Sequence, residues 1–267
     1  MKAALRSLLN RFPRLKAGLK RLRSRLSPPG GVSSNYVPLK TEEAAGEAAR
    51  LRDAWQSDAL PRRQRELVNT QLAAYRRGES IDVFDVMCQA LRALPSDARG
   101  MSVLEVGCSS GFYAEVLEIA GLGVRYAGCD YSPAFIELAR QTYPDLRFDV
   151  EDATALSHDR GAFDVVISGC CLLHIPEYQA AVVETARVAR QYAIFHRTPM
   201  VLGQPNQYYR KQAYGVETVE IHFNEPEFLA LLAASGLELI ATYTLDETVH
   251  GGVGTANRTY VCRKIAS

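Results

Sequence analysis

The 267-residue chain has no run of ~18 apolar residues, so nothing in it reads as a membrane-spanning helix. Its six cysteines (Cys88, Cys108, Cys129, Cys170, Cys171 and Cys262) form no C-x-x-C pair. That excludes a zinc-ribbon spacing and a disulfide framework, and leaves reduced thiols packed as small hydrophobes. No His, Asp and Glu set shows metal-ligand spacing, so no metal is expected. A P-loop would need Gly-Lys-Ser/Thr, which does not occur. Acid is missing from the first 40 residues, which hold ten basic ones; the first acid is Glu42. The remainder carries 21 basic against 30 acidic residues. Phosphate neutralisation supplies most non-specific affinity for nucleic acid, so an acidic body predicts no such partner. With 47% hydrophobic and 23% charged residues, a wholly disordered chain is excluded too.

What is present divides into four parts. Residues 1–26 read as a basic amphipathic helix, with Leu5, Leu8, Leu9, Phe12, Leu15, Leu19, Leu22 and Leu26 at steps of three and four. Three uses fit such a helix: an anionic membrane surface, a cleaved targeting segment, or a docking site on its own domain or a partner. Residues 27–41 are Pro-, Gly- and Ser-rich and read as a linker. Residues 42–98 return to helical spacing and form an N-terminal helical cap.

From Met101 the pattern becomes strand, glycine-rich turn, helix, repeated. Strands are expected over residues 103–106, 124–130, 146–150, 163–169, 192–196, 237–245 and 258–264, with the last two as an antiparallel hairpin. Residues 99–267 thus predict an α/β domain, a doubly wound, mostly parallel seven-stranded sheet. Ligands of such sheets bind outside the carboxyl ends of the strands.

The first such end reads Glu105-Val106-Gly107-Cys108-Ser109-Ser110-Gly111, and the second ends in Asp130. Glycines allow close approach of backbone to ligand, and an acid about 20 residues on is placed to hold a ribose. A nucleoside-bearing cofactor follows. The frame Gly107-x-Ser109-x-x-Phe112 lacks two of the three glycines of a dinucleotide loop. Instead the loop resembles the first motif of class I S-adenosylmethionine-dependent methyltransferases, with Ser109 in place of the middle glycine. The resemblance runs through residues 101–244 and implies a Rossmann-like fold and S-adenosyl-L-methionine as cofactor, leaving S-adenosyl-L-homocysteine as product. It implies a cofactor set of Glu105, Gly107, Cys108, Ser109, Gly111, Asp130, Tyr131, Asp152, Ala153 and Gly169. Asp130 would meet the ribose, Tyr131 the adenine face and Asp152 the adenine amino group.

An oxygen acceptor needs a base as well as alignment. His174, after the fourth strand, and His196 with Arg197, ending the fifth, are the expected catalytic residues; for His174 the alternative of shaping the cofactor loop stands beside the base role. Residues 203–211 mix amides, aromatics and cations and are expected to wall the substrate. Residues 250–254 are expected to form a long loop between the last two strands. The function expected is O-methylation of a polar small molecule, glycan or lipid-linked intermediate. Its alternatives are a non-catalytic S-adenosylmethionine-binding module and a protein or RNA methyltransferase. A cytoplasmic enzyme, peripheral to the inner membrane face through residues 1–26, is the expected setting.

Overall fold

A computed structural model describes residues 36–250 and 252–265. The basic arm of residues 1–26 and most of the linker lie outside the described residues.

The linker reading fails at its end. Val37–Leu39 is a strand, β1, and Thr41 already opens helix α1 (Thr41–Arg50). A 3-10 turn over Arg52–Gln56 and helices α2 (Leu60–Arg76) and α3 (Asp82–Arg92) complete the cap. Then come β2 (Ser102–Val106), α4 (Phe112–Ile119), β3 (Arg125–Asp130), α5 (Pro133–Thr142), β4 (Arg147–Val150) and β5 (Phe163–Gly169). A 3-10 turn (Leu172–His174) and α6 (Tyr178–Val188) lead to β6 (Ala189–Leu202), β7 (Gln207–Ala213), β8 (Val216–Asn224), α7 (Glu225–Ala234), β9 (Leu237–His250) and β10 (Val253–Lys264).

The strands β4-β3-β2-β5-β6 run parallel, and β10 and β9 add antiparallel neighbours beyond β6. These seven are the strands expected from sequence. Three more, β1, β7 and β8, bring the described sheet to ten. Helices cover both faces, because alternate residues of a strand point opposite ways. Val103, Val165, Ile167 and Ile194 pack with α3 and α4, while Leu104, Val106, Val166 and Phe195 pack with α6 and α7.

β6 is far longer than expected, because it changes partners midway. Its first half pairs with β5; at Met200 and Val201 its edge pairs with β8 instead. The change occurs at a bulge where His196 and Arg197 together face Thr259 of β10. Arg197 takes a left-handed backbone there, φ 56°. The Thr259 hydroxyl accepts the Arg197 N–H at 3.2 Å, so the disrupted ladder leaves that donor satisfied. The loop expected at residues 250–254 is also corrected: β9 and β10 stay paired as far as His250 and Val253.

Candidate active site

The carboxyl ends of β2, β3, β5 and β6 open onto one cavity of about 1600 Å³. Single small-molecule sites run to ~300–1,000 Å³, so this one has room for a cofactor and an acceptor together. Glu105, Gly107, Ser109, Asp130 and Tyr131 line it, as do Asp152, Ala153 and Gly169. Of the expected catalytic residues, His174 and Arg197 line it as well.

The loop after β2 is shaped by what its residues lack. Gly107 has φ 75°, and a Cβ there would lie 2.4 Å from the Cβ of Cys171. Ser109 sits at φ 48°, a region disfavoured for any side chain, so it takes up the conformation the expected glycine would have held. Its N–H donates to Asp130 Oδ2 at 2.9 Å, while the Ser132 N–H donates to Oδ1 at 3.0 Å. The carboxylate therefore fixes the turn and keeps lone pairs for a ligand. Burial pushes Asp130 up to about 6, against the N–H bonds of Ser132, Ser109 and Tyr131.

Glu105 is 2% exposed, and no basic side chain pairs with it among the described residues. Burial pushes its carboxyl up to about 8; a hydrogen bond from the Tyr126 hydroxyl opposes this, and the Asp130 charge adds to it. Gly169 is the reason it fits, since a Cβ there would lie 2.5 Å from Glu105 Oε1. An acid buried beside a cavity without a cation suits a ligand that brings positive charge. S-adenosylmethionine, with an ammonium and a sulfonium, meets that requirement.

Three expected site residues are placed elsewhere. Cys108 is 1% exposed and is not part of the cavity wall; it fills the space below Gly128, whose Cβ would lie 2.8 Å from it. Gly111 is absent from the wall too. Its bare Cα makes room for Phe148, 2.6 Å from where a Cβ would be. His196 is 1% exposed and outside the wall, with Nε2 on the Tyr113 hydroxyl at 2.8 Å and Nδ1 on Thr259 Oγ1 at 3.1 Å. Alternation along β6 sets it on the face of Ile194, in the core, where burial and then Arg197 hold its pKa well below the ordinary value. It is a structural histidine, not a base.

His174 is better placed. A carbonyl can only accept, so the 3.0 Å contact with Val219 O puts the proton on Nδ1 and the lone pair on Nε2. Burial lowers its pKa, opposed by Glu220 and by that bond, so the ring stays neutral. Trp55 packs on it with ring centroids 4.7 Å apart and donates to Thr218 Oγ1 at 3.1 Å.

Sequence reasoning missed much of the far wall. Tyr209 and Lys211 of the expected substrate segment reach the cavity, whereas Arg210 turns to Glu47 and Glu217, each at 3.6 Å. Lys211 donates to Glu220 Oε1 at 2.8 Å and to the Tyr36 hydroxyl at 2.9 Å, a largely buried pair lining the pocket. His222 lies beside Tyr36 and Tyr209, and burial pushes it down to about 4. Asp149, Glu151 and His158 also cluster, with ligand atoms within 4.8 Å of one another, which the spacing did not show. Arg147 already bridges Asp149 at 2.6 Å, and Ser157 bonds Glu151.

Comparison with known proteins agrees with this geometry. Residues 104–196 match the family model of a methyltransferase domain. A phthiotriol/phenolphthiotriol dimycocerosates methyltransferase of Mycobacterium leprae is 38% identical over 93 residues, 33% of this chain and 34% of the relative. A 2-methyl-6-phytyl-1,4-hydroquinone methyltransferase of Synechocystis is 36% identical over 115 residues, 41% of this chain and 35% of the relative. The chain thus matches little more than a third of the length of these curated relatives. Among solved structures, the Burkholderia thailandensis 1,6-didemethyltoxoflavin-N1-methyltransferase, with its substrate and S-adenosylhomocysteine bound, superposes with a TM-score of 0.56 at 18% identity. That likeness covers 90% of this chain and 100% of that one.

Proposed function

We propose that the chain, which has a methyltransferase domain match over residues 104–196 and a Rossmann-like methyltransferase fold, is an S-adenosylmethionine-dependent enzyme methylating an oxygen of a small molecule. The acceptor class extends to glycans and lipid-linked intermediates. S-adenosylmethionine, when bound, supplies an electrophilic methyl group and leaves as S-adenosylhomocysteine. The observation that carries the reading is convergence: the turn at Gly107, the acids Glu105 and Asp130, and the neutral imidazole of His174 all line one cavity.

Each residue has a task in this reading. Asp130 holds the ribose, and Glu105, mostly protonated in the empty site at neutral pH, ionises as the cationic end of the cofactor arrives. The wall of Trp55, Tyr209 and Tyr214 orients the acceptor. Holding two reactants in line supplies several kcal/mol by itself. His174 Nε2 takes the acceptor's proton, for which a neutral ring is required. The test is transfer of label from methyl-tritiated S-adenosylmethionine to a panel of hydroxylated acceptors, read with cofactor affinity. Transfer supports the proposal; tight binding without transfer to any acceptor would favour a non-catalytic binding module.

Residues 1–26 fit the same reading as a tether to an anionic membrane surface. Among the described residues no helix is long and apolar enough to cross a membrane. The relatives named for a phytyl hydroquinone and for demethylmenaquinone lend weight to an acceptor met at such a surface. Deleting residues 1–30 should abolish low-salt binding to anionic liposomes and leave cofactor affinity intact. A full-length protein that ignores such liposomes would refute the tether.

A further inference from the structure

Four non-glycine residues of the described chain adopt a positive φ: Ser109, Cys170, Arg197 and Tyr214, at 48°, 60°, 56° and 50°. All four line the cavity. Such conformations persist where surrounding structure imposes them, and they gather at functional sites. Ser109 belongs to the cofactor turn. The other three meet where β5, β6 and the β7–β8 turn converge, and one of them is a cation on which the other two bear.

Arg197 is that cation. Among the described residues no carboxylate lies within ion-pair distance of it, although most other arginines near an acid are bridged. Its Nε is covered from solvent and makes no hydrogen bond. The groups that bear on it electrostatically are Cys170, Tyr113, Tyr214 and Glu220. Burial keeps the Tyr113 and Tyr214 hydroxyls neutral at physiological pH, and Glu220 is already held by Lys211 at 2.8 Å. A partly buried guanidinium without a counter-ion is costly, and its planar fork suits an oxyanion.

We propose that Arg197 is an acceptor-binding residue that holds an ionised oxygen of the acceptor beside the hydroxyl that His174 deprotonates, so that the acceptor is a hydroxylated organic acid, a carboxylate or an acidic phenol, rather than a neutral alcohol. This rests on the methyltransferase reading and narrows its acceptor. The bulge at His196–Arg197 has a purpose on this view: with the histidine bonded inward to Tyr113 and Thr259, the left-handed turn at Arg197 sets the arginine on the cavity wall. An acid held there lies against Cys170, next to the β5 end that carries His174.

The test uses the full chain saturated with S-adenosylhomocysteine, titrated calorimetrically with benzoate, 4-nitrophenolate and the neutral isostere benzamide. Benzoate or 4-nitrophenolate should bind at least tenfold more tightly than benzamide, and whichever anion binds identifies the acid class. Arg197→Met should remove that preference, and Arg197→Lys should restore part of it. The melting temperature of Arg197→Met should hold or rise, because an uncompensated charge is removed; a structural role would lower it. Equal binding of the acids and benzamide, no binding of either acid, or unchanged binding in Arg197→Met would overturn the proposal. Failure of S-adenosylhomocysteine itself to bind would overturn the methyltransferase reading instead. The benzoate comparison between wild type and Arg197→Met would still be made on the cofactor-free protein.

Discussion

Gly107→Ala puts a side chain where two separate penalties meet. The first is conformational. At φ 75° the backbone is left-handed, which costs a non-glycine residue ~1–2 kcal/mol. The second is steric. The new Cβ would lie 2.4 Å from Cys171 Cβ and 2.8 Å from its Sγ, and overfilling a packed site costs about 1–3 kcal/mol. Together they predict a loss of roughly 2–5 kcal/mol. At ~2–4 °C per kcal/mol for a chain of this size, the melting temperature should fall by ~5–20 °C. The two parts can be separated. Cys171→Gly removes the clashing atoms but not the strain, so the double variant should recover about 1–3 kcal/mol relative to the value expected for independent changes. Differential scanning calorimetry and urea unfolding would measure both. Melting of Gly107→Ala at the wild-type temperature, or strict additivity with Cys171→Gly, would refute the packing argument for the cofactor turn.

Three further outcomes are expected. Glu105 has a folded pKa near 8, raised by burial, against about 4.5 unfolded. The unfolded chain then gives up its proton first, so cofactor-free stability should fall as pH rises from about 4.5 to 8, by ~3–5 kcal/mol at most; Glu105→Gln should flatten that slope in pH-dependent melts, and an unchanged slope would remove Glu105 as its source. His174→Ala should bind S-adenosylhomocysteine like wild type yet turn over ~10²–10⁴-fold more slowly. Because burial lowers the His174 pKa, the wild-type rate should stay level from neutral pH to below 6.5 before falling; full activity in the variant would mean that alignment alone carries the reaction. His196→Ala should cost the Tyr113 hydroxyl and Thr259 their shared partner, about 0.5–1.5 kcal/mol for each bond lost, since Tyr113 keeps the Val83 carbonyl and Thr259 the Arg197 N–H. Its cofactor affinity should be intact, and a selective loss of turnover without loss of stability would restore it as a catalytic candidate.

The parallel half of the sheet was legible because β5 carries Phe163, Val165, Val166 and Ile167 nearly in a row, as suits a strand buried on both faces. The glycine turn and Asp130 were legible from their spacing alone. The β7–β8 hairpin was not, and its turn explains why. Both central residues, Tyr214 and Gly215, have positive φ, a geometry usually marked by Asn-Gly or Asp-Gly. A tyrosine there hides the signal, and with it went Tyr214 and Glu220 as wall residues. His196 was misplaced for another reason. It was expected to end its strand at the ligand side, but β6 runs on to Leu202, and alternation sets His196 on the face of Ile194, against Tyr113. Cys108 and Gly111 belong to the cofactor motif by position, yet their environment is packing: one fills the space under Gly128, the other yields to Phe148.

The central claim is that one cavity binds S-adenosylmethionine through Asp130 and the turn it holds. Calorimetric titration of S-adenosylhomocysteine into wild type and Asp130→Asn tests it most directly. Asparagine keeps an oxygen for the Ser109 or Ser132 N–H, so the turn should survive while the charge-assisted bonds to ribose are lost. The account predicts one-site binding to wild type and an affinity lower by ~1–3 kcal/mol, roughly 5–150-fold, in the variant. Equal affinity in the two proteins, or no binding to wild type, would contradict it.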